Sequence, residues 1–199
     1  MCIRDRGTTA LVLSATFAMA AGHSVVRMGT EGAYPPYNFI DDNGEVAGFE
    51  RELGDELCAR AELKCEWVTN DWDSIIPNLL SGNYDTIIAG MSVTEERMEV
   101  IDFSEQYTQP DPSAYATLSG FSGDLSGAVV AAQSSTIQAS YIASSGATLL
   151  EFATPEETIA AVRSGEADAV LADKGIWNQS SRKTATCPSQ VTIFTLAAV

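Results

Sequence analysis

Short apolar runs alternate with segments of helical apolar spacing from residue 24 to residue 173, and this alternation constrains the fold more than any other feature. Residues 24–30 read as a strand, and residues 32–37 as an ordered loop braced by Pro35 and Pro36. Asp41-Asp42-Asn43-Gly44 marks a turn, after which Phe49, Leu53, Leu57 and Ala61 recur at helical spacing. A strand over 65–69 follows, then a helix over 73–82 with Ile75, Ile76, Leu79 and Leu80 on its buried side, then a strand over 84–90. Thr94 before Glu95 and Glu96 has the form of a helix start. Such alternation predicts an α/β fold with largely parallel sheets.

The pattern breaks at Pro110 and Pro112. It restarts with strands over 113–118 and 127–132, helices over 136–144 and 155–164, and a strand over 167–173. Two lobes are therefore expected: 24–110 as the N-terminal part of the first and 111–199 as the second, with 180–199 unassigned to any element. In open α/β sheets ligands collect beyond the carboxyl ends of the strands. Here those ends are the segments around 30–37, 89–97, 132–137 and 172–173.

The N-terminus carries Arg4 and Arg6, an apolar run from Ala10 to Phe17, and the small-x-small triplet Ala18-Met19-Ala20. That is the form of a secretory signal over residues 1–20, and the run is shorter than the roughly 20 residues a membrane span needs. Cleavage is expected to leave a soluble, exported protein, since no cysteine follows the run where a lipid anchor would attach.

Export governs the cysteines. Cys58 and Cys65 are seven residues apart, and an oxidising compartment makes a disulfide between them the default. A zinc site is a poor rival, because the one histidine, His23, adjoins the cleavage point and no second cysteine pair has ligand spacing. Cys187 is left without an evident partner.

The charge is −16, from 27 acidic and 11 basic residues. Removing residues 1–20 takes away Arg4, Arg6 and Asp5 and leaves −17, so the acidity belongs to the exported part. Nucleic acid is thereby excluded as a partner, and a cationic ligand is favoured. Solubility alone also accounts for such a charge.

At the strand ends, Arg97 is suited to grip a carboxylate with two parallel hydrogen bonds, and Gly90 and Ser92 precede it where backbone can approach closely. Glu31 and Asp173 each follow an apolar strand, so two anions and one cation could meet one zwitterion. Tyr34 and Trp72 offer aromatic faces to an aliphatic or cationic side chain. Ser134, Ser135 and Thr136 supply hydroxyl and backbone donors at a helix start. Each has a plainer reading: Arg97 as a solvated helix charge, Glu31 as a loop charge, Asp173 as a cap or turn, the aromatics as core, and Ser134 to Thr136 as a helix cap. No phosphate loop, Gly-x-Ser-x-Gly elbow or metal cluster is present in the sequence, and neither enzymatic activity nor a cofactor is expected.

Several motifs in order carry a family resemblance. They are residues 27–39 (RMGTEGAYPPYNF), 48–53 (GFEREL), 71–79 (DWDSIIPNL) and 85–97 (DTIIAGMSVTEER), followed by Ile101-Asp102-Phe103-Ser104. Over about residues 25–175 the chain resembles the family 3 solute-binding proteins of polar amino-acid ABC transporters. The family includes lysine/arginine/ornithine-, histidine- and glutamine-binding proteins. The resemblance implies a type II periplasmic binding protein whose two lobes close on a free amino acid and present it to an inner-membrane permease. A monomer without a cofactor is expected.

By the same resemblance Arg97, Ser92 and Thr136, beside Ser135, hold the ligand carboxylate. Asp173 and the Gly90 carbonyl, beside Ala89, take the α-ammonium. Tyr34 and Trp72 stack on the side chain, and Glu31 meets its distal charge. The Cys58–Cys65 pair matches the branch that takes basic amino acids, and a glutamate at position 31 resembles relatives that take arginine, ornithine or opines. The expected ligand is arginine, lysine, ornithine or an opine. A dehydratase of the cyclohexadienyl type and an amino-acid-sensing domain are the alternatives on the same scaffold.

Departures are visible too. Glu50 and Arg51 replace the aspartate and apolar residue usual after Gly-Phe, Ser134 stands where glycine is common, and Ile137 stands where some relatives are polar. After about Gln179 the resemblance fades, so the C-terminal part of the first lobe is expected to be missing.

Overall fold

The first apolar run folds as β1 (Val26–Thr30) in a computed structural model that describes residues 25–118, 121, 124–176 and the backbone of 191–194. Residues 1–20, read from the sequence as a secretory signal, lie outside the described residues, as do His23 and Cys187. Where a loop and a turn were expected, β2 (Ala33–Tyr34), β3 (Asn38–Ile40) and β4 (Val46–Ala47) form a small antiparallel sheet. The two turn sequences are its hairpin ends: Tyr34 accepts from the Tyr37 N–H, and Asp41 Oδ1 accepts from the backbone of Asn43 and Glu45.

α1 (Phe49–Arg60) begins against this hairpin, with Phe49 and Glu50 donating their N–H groups to the carbonyls of Pro36 and Tyr37. Its packed face differs from the apolar spacing. Glu50, Gly54 and Cys58 are buried, whereas Phe49 and Leu57 are 42% and 53% exposed. Two interactions account for this. Glu50 finds hydrogen-bond donors in the interior, and Gly54 lets the Trp67 ring approach so closely that a Cβ there would meet it at 2.6 Å.

β5 (Cys65–Thr69) pairs parallel with β1, and a disulfide joins Cys58 to Cys65 at a Cα separation of 6.2 Å. A 3₁₀ turn at Trp72–Ser74 leads into α2 (Ile75–Leu80). Ile75 is buried with Tyr84 and Ala89, and Ile76 and Leu79 pack on that cluster. Leu80, expected on the same side, is 60% exposed. At about 100° per residue it lies roughly 140° around the helix from Ile75, beyond the packed stripe. β6 (Thr86–Ile87) completes a parallel sheet of order β5-β1-β6, and α3 (Glu95–Met98) starts on a Thr94 side chain that accepts from Arg97 N–H.

The second unit comprises β7 (Ser113–Leu118), β8 (Val129–Gln133), α4 (Ile137–Ser145), β9 (Thr148–Phe152), α5 (Pro155–Ser164), β10 (Ala169–Asp173) and β11 (Val191–Phe194), in sheet order β11-β7-β10-β8-β9. β9, β8 and β10 are parallel, as alternation predicts, and α4 and α5 are their crossovers. β7 runs antiparallel to β10 and β11. Its connection from Leu118 to Val129 is too short for a parallel crossover, which takes a dozen or more residues, usually helical.

Side chains of this sheet alternate between two cores. Ala114, Ala116, Ala131 and Val170 face α5, while Tyr115, Val130, Ala132 and Leu171 share the core that holds Ala139 and Ile142 of α4. The chain is thus an α/β protein of two units. In both, the carboxyl ends of parallel strands carry the polar loops described next.

Candidate functional site

Each half of the cleft is built from residues that leave a strand. Glu31 follows β1, Tyr34 lies in β2, Trp72 opens the 3₁₀ turn after β5, and Ala89, Gly90 and Ser92 follow β6. Facing them are Gln133 at the end of β8, Thr136 at the start of α4 and Asp173 at the end of β10. Together with Arg97 of α3 they line one cleft. The sequence-predicted ligand residues line it except Ser134, whose hydroxyl and N–H both donate to the Phe152 carbonyl, and Ser135, which contributes a carbonyl instead.

Hydrogen bonds cross from one half to the other. The Tyr34 hydroxyl donates to Asp173 Oδ2 at 2.7 Å, and the Gln133 amide donates to Glu31 Oε1 at 2.5 Å. Ser135, at φ 59°, turns its carbonyl toward the first unit, where Trp72 Nε1 and Arg97 Nη2 donate to it at 3.2 and 3.1 Å. Arg97 Nη1 donates to the Ser92 carbonyl at 2.9 Å, and the guanidinium lies 5.5 Å from the Trp72 ring centre. The indole thus stacks on Arg97 while sharing its acceptor. Tyr34 stacks on Tyr37 at 5.2 Å.

Thr136 is a helix cap as well as a cleft residue. Its oxygen accepts from Ala139 N–H and its hydroxyl donates to the Gln133 carbonyl. The cap fixes the start of α4, whose free N–H groups attract negative charge. Gly90 has φ 58°, and a Cβ there would stand 3.3 Å from the Tyr34 ring, so glycine keeps that backbone close to the aromatic wall.

These features coincide with a family. The sequence profile of the bacterial extracellular solute-binding proteins, family 3, matches residues 26–122. The fold matches the structure of a periplasmic His/Glu/Gln/Arg/opine family-binding protein from Silicibacter pomeroyi in complex with lysine. Sequence identity is 64% and the TM-score 0.81, over 87% of this chain and 78% of that one. The chain belongs to the family 3 solute-binding proteins. Among curated relatives it is 49% identical over 88 residues to the octopine-binding periplasmic protein of Rhizobium meliloti, covering 44% of this chain and 30% of that protein. It is 38% identical over 98 residues to the lysine/arginine/ornithine-binding periplasmic protein of Escherichia coli K12, covering 49% and 38%. The matched stretches thus span about a third of these two relatives.

In this family 3 protein the cleft's charges are strongly perturbed. Burial pushes the Glu31 carboxyl up to about 7, although the Gln133 hydrogen bond holds it back. Burial likewise raises Asp173, opposed by its hydrogen bonds from Tyr34 and Gln138, and lowers Arg97. Two carboxylates and a guanidinium held in a desolvated cleft suit an ion that complements them. Among the described residues no group of three or more His, Cys, Asp or Glu could hold a metal ion, and no helix is long and apolar enough to cross a membrane.

Gln133 and Gln138 were missed as individual site residues. Gln133 falls in the predicted 132–137 segment, and its position as the first polar residue after Val129-Val130-Ala131-Ala132 is the signal that marks it. Gln138 donates to both Asp173 Oδ1 and Ser113 Oγ, a role that depends on the packing of α4 over β7 and β10. Pro155 and Thr158 of α5 also line the cleft, brought there by a crossover helix rather than by a strand end.

Proposed function

We propose that the chain captures a free basic amino acid, arginine, lysine, ornithine or an opine, as the substrate-binding component of an ABC importer. The observation that carries this reading is the desolvated Glu31 carboxyl at one end of the cleft, engaged by the neutral amide of Gln133. A cationic side-chain end takes the place of that amide and supplies the charge Glu31 lacks. Arg97, with Ser92, Ser135 and Thr136, receives the carboxylate. Asp173 and the Gly90 carbonyl, beside Ala89, receive the α-ammonium, while Tyr34 and Trp72 flank the aliphatic stem. The lysine complex of the Silicibacter pomeroyi relative supports the ligand class.

The protein acts in the periplasm after removal of residues 1–20, folds as the N-terminal part of one lobe over 24–110 and a second lobe over 111–199 with 180–199 unassigned, and delivers its cargo to an inner-membrane permease. A thermal-shift screen of the twenty amino acids, ornithine and octopine tests the proposal. Arginine, lysine, ornithine or octopine should raise the transition temperature. A shift with glutamate or glutamine and none with the basic ligands would refute it.

A further inference from the structure

Behind the cleft, Glu50 is fully buried in the first turn of α1 and is not among the lining residues. Its two oxygens have separate partners. Oε2 accepts from Asn38 Nδ2 at 2.7 Å, and Oε1 accepts from the Tyr107 hydroxyl. Asn38, also fully buried, uses Oδ1 to accept the Gly32 N–H at 2.7 Å, directly after Glu31. The Tyr107 oxygen accepts the Gly90 N–H at 3.1 Å. One carboxylate is therefore connected, through one side chain each way, to the loop bearing Glu31 and to the loop bearing Gly90.

The polarity of these links follows from the backbone N–H groups at their ends, which only donate. The Gly90 N–H takes the Tyr107 oxygen as its acceptor, so the phenol proton points at Glu50. In the same way the Gly32 N–H fixes Asn38 Oδ1 on itself, which turns Nδ2 toward Glu50. Burial and the adjacent carboxylate raise Tyr107, so the phenol keeps its proton. The residue is 42% exposed while its hydroxyl reaches Glu50. Leaving a buried carboxyl oxygen without its donor is costly, so both loops are held in the place where their relay can reach it.

We infer that Glu50 is a positioning residue that sets the spacing between the two ends of the ligand cleft, acting through Asn38 on Glu31 and through Tyr107 on Gly90. This rests on the ligand reading given above. Gly90 serves the α-ammonium that all amino acids share, whereas Glu31 serves the side-chain end that differs between them. The two relays therefore have separable effects on affinity and on selectivity.

Calorimetric Kd values for arginine and lysine, measured on the unaltered chain and on Tyr107→Phe, Asn38→Ala and Glu50→Gln, test this. Tyr107→Phe, which keeps the ring, should weaken both ligands by a similar factor, roughly three- to tenfold, and leave their ratio unchanged. Asn38→Ala should change the arginine-to-lysine ratio at least about threefold, and Glu50→Gln should do both. Should the two buried substitutions prevent folding, Tyr107→Phe decides alone: both Kd values within twofold of the unaltered chain, or a changed ratio, would overturn the relay. Binding of neither ligand by the unaltered chain would overturn the ligand reading and the relay together.

Discussion

Gln133 reaches across the cleft to donate to Glu31 at 2.5 Å, and Glu31 is the carboxyl that burial raises most clearly among the cleft acids. The pairing joins the end of β8 to the end of β1 through a neutral donor. A neutral donor offsets part of the desolvation of a carboxylate, but a cation offsets more. The pH dependence and the charge discrimination expected of this cleft follow from that difference.

The first concerns pH. An unfolded glutamate titrates near 4.5, and Glu31 in the closed cleft near 7, so between these values the folded chain holds a proton that the unfolded chain has lost. This group therefore favours the folded state most below about 4.5, and that contribution declines as pH rises toward 7. Asp173, also raised by burial, acts in the same direction. A bound cation favours ionised Glu31, so binding at about pH 6 should release close to one proton, and arginine affinity should fall about tenfold per pH unit below 7. Calorimetry in buffers of different ionisation enthalpy measures the release, and a buffer-independent enthalpy would contradict it.

Arg97 carries the second prediction. Its guanidinium uses one nitrogen on the Ser92 carbonyl and another on the Ser135 carbonyl while lying over Trp72. Lysine cannot reproduce that fork. Arg97→Lys should weaken the basic ligand by about 2–3 kcal/mol, roughly 30- to 150-fold in Kd, measured by titration at about pH 8. A change below threefold would remove Arg97 from the carboxylate site.

The disulfide gives a third, on stability. Cys58 and Cys65 close a loop with a sequence separation of 7, and Cys58 packs 3.6 Å from the Met28 sulfur. The Cys58→Ser, Cys65→Ser double variant should lose about 2–3 kcal/mol, lowering Tm by roughly 5–10 °C. Neither cysteine lines the cleft, so arginine Kd should stay within about threefold. Scanning calorimetry with parallel titrations separates the two effects.

Much of this was legible in the sequence because strand ends locate sites in α/β folds. The strand over 65–69, the strand over 113–118 and the helix over 155–164 occur at those residues, and Glu31, Tyr34, Trp72, Arg97 and Asp173 meet in one cleft. What escaped depended on tertiary packing. The face α1 buries was hidden because Glu50 satisfies its charge with Asn38, twelve residues earlier, and with Tyr107, fifty-seven later. The departure at Glu50 thus corresponds in the fold to a contact with Tyr107 that reaches Gly90. β9 has no alternating pattern strong enough to announce it, since Leu149, Leu150 and Phe152 are all half-buried. The reversed direction of β7 depends on the length of a connection rather than on any residue type.

Arginine and citrulline have almost the same shape and differ in the charge at the distal end. Paired titration of the two at about pH 8 therefore isolates the role given to Glu31. Arginine should bind at least about thirtyfold more tightly than citrulline, and Glu31→Gln should remove most of that difference. Equal affinities for arginine and citrulline in the unaltered chain would contradict the account.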